Sequence, residues 1–121
     1  MKFQDLLAYK KSFDLAMKIF AITKTFPKEE RYSLTDQIRR SSRSVSSNIA
    51  EAYRKRIYQK SFISKLTDSD AENSETQTWL EFSFECEYID NITYGELMEI
   101  SLEVGRLINY MINNPDKFGS K

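Results

Sequence analysis

With 121 residues, the chain has the length of one domain and can bury a two-layer core without a staple. Its one cysteine, Cys86, excludes an internal disulfide, and the lack of histidine removes the commonest transition-metal ligand and general base. Eighteen basic residues balance eighteen acidic ones, which argues against a simple polyanion binder, and no stretch of about 18 uncharged apolar residues offers a membrane span.

Three glycines and two prolines are few for a sheet-rich domain and favour helices. The N-terminal segment MKFQDLLAYKKSFDLAMKIF has no uncharged apolar run and no small-residue cleavage site, so it reads as part of the fold and not as an export signal. Its apolar residues Leu6, Tyr9, Phe13, Ala16, Phe20 and Thr23 recur at steps of three and four, predicting a helix over 5–25 with Asp5 placed to cap its start. Pro27 should stop that helix, because it disfavours the α conformation at Phe26 and has no N–H to donate.

A second stripe, Leu34, Ile38, Ser41, Val45, Asn48 and Ala52, predicts a helix over 34–55, with Ser33 as cap. No glycine or proline marks its end, and a short break is expected near Arg56 to Lys60. The third stripe, Phe62, Leu66, Ser69, Asn73, Thr76 and Leu80, predicts a long helix over 59–87 that is polar at its centre. Thr93 with Glu96 three residues later forms a capping box, opening a fourth helix over 94–113 along Leu97, Ile100, Val104, Leu107 and Met111. Four helices joined by short connections predict an all-α fold, an antiparallel up-down-up-down four-helix bundle in a single domain.

The balanced charge is unevenly placed. Between Lys28 and Lys65 ten basic residues face four acidic ones, whereas Leu66 to Gly105 holds eleven acidic residues and no lysine or arginine. Arg39 and Arg43 lie four apart on one helical face, with Arg54, Lys55 and Arg56 beyond, so guanidinium groups could follow a phosphate backbone or meet the acidic helices of another copy. Asp36 with Arg40 and Glu51 with Lys55 are i,i+4 pairs that would neutralise part of this set within the helix.

Asn48 and Asn73 fall on apolar stripes, where a buried amide must be hydrogen-bonded. With Glu51, Glu72, Glu75 and Thr76 they predict a polar layer between the second and third helices. Asp68, Glu72 and Glu75 share a face and raise a carboxylate metal site, but bundle di-iron centres draw on Glu-x-x-His motifs and there is no histidine. No metal, cofactor, phosphate loop or catalytic residue is expected. Five serines between Ser41 and Ser47 are poor helix formers, and their small side chains read as admitting a close neighbour. Apolar residues spread around the third helix, Phe62, Leu66, Trp79, Leu80, Phe82 and Phe84, exceed one seam and predict a partner surface.

The stretch FPKEERYSLTDQIRRSSRSVSSNIAEAYRKR, with MKFQDLLAYKKSFDLA before it and an acid-rich third helix after it, resembles the small four-helix-bundle proteins encoded within intervening sequences of bacterial 23S ribosomal RNA genes. The chain departs from that pattern where Ala52 replaces a common glycine and where DSDAENSETQTWL replaces a segment richer in leucine and alanine. The resemblance implies a homo-oligomeric ring, typically a pentamer, with no established enzymatic activity. A related branch, the accessory variability determinants of diversity-generating retroelements, is strongly basic and engages a reverse transcriptase and nucleic acid. The expectation is therefore a cytoplasmic, non-enzymatic, self-assembling bundle that needs no membrane, with an adapter for RNA or reverse transcriptase as the alternative.

Overall fold

The computed structural model describes all residues from Met1 to Lys121. Four helices, α1 (Leu7–Thr23), α2 (Leu34–Arg54), α3 (Gln59–Glu85) and α4 (Asn91–Asn113), run up and down in chain order. Each packs on two others: α1 on α2 and α4, α3 on α2 and α4, so α1 and α3 occupy opposite corners of the bundle. No helix is long and apolar enough to cross a membrane.

The helix ends differ from the sequence expectation in instructive ways. Asp5 does not cap α1; it closes a 3-10 turn at Phe3–Asp5, its carboxylate accepting from Lys2 N at 2.9 Å. The last turn of α1 is tied by Thr23, whose hydroxyl donates to the Ile19 carbonyl at 2.7 Å, and Pro27 follows in extended conformation. Ser33 does not cap α2 either, because its hydroxyl donates to Glu30 Oε1 at 2.7 Å, and that same oxygen meets the Leu34 amide at 3.4 Å. The turn between α2 and α3 needs no glycine, since Lys55 sits at φ −94° and ψ 14°, open to any residue.

Helix α4 starts at Asn91, earlier than the Thr93–Glu96 box places it. Asp90 is the cap, its side chain accepting from Thr93 N at 2.7 Å, so Thr93 lies inside the first turn as a donor. Helix α3 ends in a Schellman-type closure. Tyr88 N bonds back to Ser83 O at 2.9 Å, and Glu87 takes φ 63°.

The core is divided. Val45, Ile49, Phe62, Leu66, Val104 and Ile108 belong to one apolar cluster, and Leu15, Ile19, Ile38, Leu80, Ile89 and Leu97 to a second. Between them every helix contributes buried polar residues at mid-height: Ser12 from α1, Ser41, Ser42 and Ser46 from α2, Ser69, Asn73 and Thr76 from α3, and Ser101 from α4. These pair across the helices. Ser12 Oγ lies 2.9 Å from Ser46 Oγ, Ser41 Oγ lies 2.8 Å from Thr76 Oγ1, and Ser69 donates to the Val45 carbonyl at 2.8 Å. The serines of α2 thus bring its backbone close to α3, near enough for a side chain of one to reach the main chain of the other.

Candidate functional site

The basic residues of α2 and of the turn that follows it go to three separate places. Arg40 crosses to α3, placing Nη1 2.9 Å from Glu72 Oε2 and Nη2 2.7 Å from Glu75 Oε2. The expected partner Asp36 is therefore replaced by two carboxylates three residues apart on the facing helix, a spacing that suits the guanidinium fork. The bonds to Glu75 and Glu72 hold Arg40 above its ordinary range. Burial pushes the Glu75 carboxyl up, but the hydrogen bond and charge of Arg40 outweigh it and hold the group low.

Arg39 turns the other way, toward α1. Its Nε donates to Thr23 Oγ1 at 2.8 Å and its guanidinium lies 4.8 Å from the Phe20 ring centroid, with Arg43 at 5.7 Å over the same ring. Arg56, at the far end, stacks 4.0 Å over Tyr53 and donates to the Tyr53 carbonyl at 2.7 Å. Arg54 and Lys55 stay exposed there, without a carboxylate in ion-pair range.

The expected polar layer is also redistributed. Asn48 stays out of it and donates to Ser44 O of its own helix at 2.9 Å, because the inward face of α2 runs through Ser41, Val45, Ile49 and Ala52 and leaves position 48 on the flank. Glu51 bonds Lys65 at 3.0 Å in place of Lys55. Asn73 turns to α4, where its Nδ2 donates to Ser101 O and its Oδ1 accepts from Ser101 Oγ, both at 2.9 Å. Gln77 adds a third bond to Ser101 Oγ at 3.0 Å. Thr76, through Ser41, joins α3 to α2 in the buried interior, while Glu72 and Glu75 reach α2 at its edge, through Arg40. Glu72 and Glu75 face Arg40 and Asp68 faces Lys65 at 4.0 Å, and the three carboxylates do not converge.

The apolar surfaces fall elsewhere than the sequence places them. On α3, Phe62, Leu66 and Leu80 are buried, Trp79 and Phe84 lie against the second core cluster, and Phe82 alone is left 53% exposed. The larger surplus is on α1. Its inward face is Ala8, Ser12, Leu15 and Ile19, so the stripe through Tyr9, Phe13 and Phe20 is a second, flanking face. Phe13 and Met17 are 50% and 51% exposed, and a groove of about 510 Å³ runs between them and Ser47 and Ala50 of α2. Tyr9 links Phe3, at 5.1 Å between ring centroids, to Phe13, at 5.9 Å.

The family model of the 23S rRNA-intervening sequence protein matches residues 4–110. The chain belongs to that family. Among solved structures, a protein of unknown function from the S23 ribosomal protein family of Bacteroides thetaiotaomicron superposes with a TM-score of 0.82 at 31% identity, covering 91% of this chain and 98% of the other. No curated protein matches the chain. For this family member the matched span takes in the capping turns, the mid-height polar residues and both outward apolar surfaces.

Proposed function

We propose that this family member is a non-enzymatic helical module that assembles with copies of itself, head to tail, into a closed ring, with five subunits favoured by the family resemblance. The observation that carries this reading is the pair of outward apolar surfaces on opposite corners of the bundle, Phe13 and Met17 on α1 and Phe82 on α3. Two patches that point in different directions suit a head-to-tail contact between successive copies, whereas a two-fold dimer would cover one and leave the other wet. Free cations at the end of α2, Arg54 and Lys55, and exposed acids on α4, Glu96 and Glu99, supply a rim of opposite charge. One unpaired cysteine accords with a cytoplasmic setting.

Light scattering on the purified protein at micromolar concentration tests the reading. One species of pentamer mass is expected, and Phe13→Glu or Phe82→Glu should each reduce it to smaller species. A strict monomer overturns the proposal.

A further inference from the structure

A cleft of about 410 Å³ opens where the end of α1, the following 3-10 turn and the start of α2 meet. Lys24, Lys28, Arg31 and Arg39 line it, against one carboxylate, Asp36. None of these four cations has a carboxylate within ion-pair distance, unlike Arg40, Lys65, Lys11, Lys18 and Arg106. Arg39 is already held in place by Thr23 and Phe20, so its position is set before any ligand arrives.

Two further observations point to an anion. Thr35, also in the wall, is only 8% exposed, and its buried hydroxyl has no hydrogen-bond partner. A buried hydroxyl without a partner is uncommon, because it gives up its bonds to water for nothing. The amides of Thr35 and Asp36 belong to the first turn of α2 and bond no backbone carbonyl, as the geometry of a helix start dictates, and the positive end of the helix dipole adds to the field. At the rim Tyr32 is 84% exposed, with the Arg31 guanidinium 5.9 Å from its ring. An open aromatic face beside a cationic pocket is suited to stacking a base whose phosphate lies inside.

We infer that this cleft binds a nucleotide through its terminal phosphate, with the base stacked on Tyr32. Lys28 and Arg31 neutralise the phosphate, Thr35 rotates its unpartnered hydroxyl out of the wall to donate to a phosphate oxygen, and Arg39 holds the inner wall. The ligand is a free mononucleotide or the 5′-phosphorylated end of a single strand of RNA, two sources of the same chemistry. The site is independent of the assembly proposed above, since it uses none of the outward apolar residues.

Calorimetric titration of the full chain at low salt tests it with four probes: 5′-AMP, adenosine, a short oligoadenylate bearing a 5′-phosphate, and the same oligomer without it. Saturable binding of 5′-AMP is expected, with adenosine at least tenfold weaker. A phosphorylated oligomer that binds more tightly than 5′-AMP assigns the site to RNA ends, and equal affinity assigns it to free nucleotide. Lys28→Ala and Arg31→Ala, both on the surface, should each weaken 5′-AMP about tenfold, and Thr35→Val severalfold, with the helical circular dichroism unchanged. No binding of either phosphorylated probe, equal binding of the two oligomers, or affinity untouched by these substitutions overturns the inference.

Discussion

The hydroxyl oxygens of Ser41 and Thr76 lie 2.8 Å apart in the buried middle of the α2–α3 interface, and Thr76 also donates to the Glu72 carbonyl of its own helix at 2.9 Å. The shared proton gives α2 and α3 a contact that neither apolar cluster supplies. Ser41→Ala should therefore lower unfolding free energy by about 1 kcal/mol. Ser41→Leu should lower it by about 2 kcal/mol or more, since the extra volume forces the helices apart. Urea denaturation followed by circular dichroism measures both, and equal effects would contradict the close-packing account.

Asn73 and Ser101 exchange two hydrogen bonds across α3 and α4. Replacing Asn73 by Leu keeps the branched outline of the side chain and adds an apolar surface, yet it removes a donor from Ser101 O and an acceptor from Ser101 Oγ. The expected loss is about 2 kcal/mol. The double variant Asn73→Leu with Ser101→Ala should recover part of it, because the hydroxyl left without an acceptor is gone. A double-mutant cycle that shows strict additivity would refute the coupling.

Glu87 closes α3 at φ 63°, a left-handed conformation that favours glycine. Glu87→Gly should raise stability by about 1 kcal/mol, seen as a higher urea midpoint with unchanged slope. A drop in stability would show that the Glu87 side chain makes a contact worth more than the strain.

Tyr88 donates to Glu30 Oε2 at 2.8 Å, fastening the loop after α3 to the turn before α2. That bond, with some desolvation and the Glu30 charge, pushes the Tyr88 hydroxyl up to about 12 from 10.0. A group whose folded value is raised stabilises the fold fully below its unfolded value and loses that contribution as pH climbs to the folded value, so the window here is about pH 10 to 12. The bonds from Ser33 and Tyr88 hold Glu30 low, so its contribution is lost on the acid side as pH falls through that lowered value. Absorbance titration of tyrosinate should show one late-ionising tyrosine that is absent in Tyr88→Phe. An unchanged titration curve would contradict the assignment.

Much of the architecture is legible in the spacing of apolar residues. Leu34, Ile38 and Val45, or Phe62, Leu66 and Leu80, recur as a buried helical face must, and all are buried. Helix α1 is harder, since Leu15 and Ile19 compete with Phe13 and Phe20 for the inward face and either set makes a stripe; small Ala8 and Ser12 select the former by fitting against α2 and α4. The basic residues are harder still. An arginine can reach in several directions from one backbone position, and only the facing carboxylates Glu72 and Glu75 decide that Arg40 goes to α3 while Arg39 goes to Thr23. The cleft lined by Lys24, Lys28 and Arg31 is assembled from two helices and a turn, and nothing in one-dimensional spacing joins its parts.

The mid-height polar residues have a consequence for motion. In a bundle filled only with leucine, one helix can slide along its neighbour by a turn, about 5.4 Å, and meet nearly the same methyl surface. A slide of α2 here would carry Ser41 and Ser46 away from Thr76 and Ser12 and break both cross-helix hydroxyl contacts at once. Such a displacement has no intermediate resting place, so α2 is pinned lengthwise. The outward residues on its neighbours keep their heights relative to one another, as teeth do on a keyed shaft.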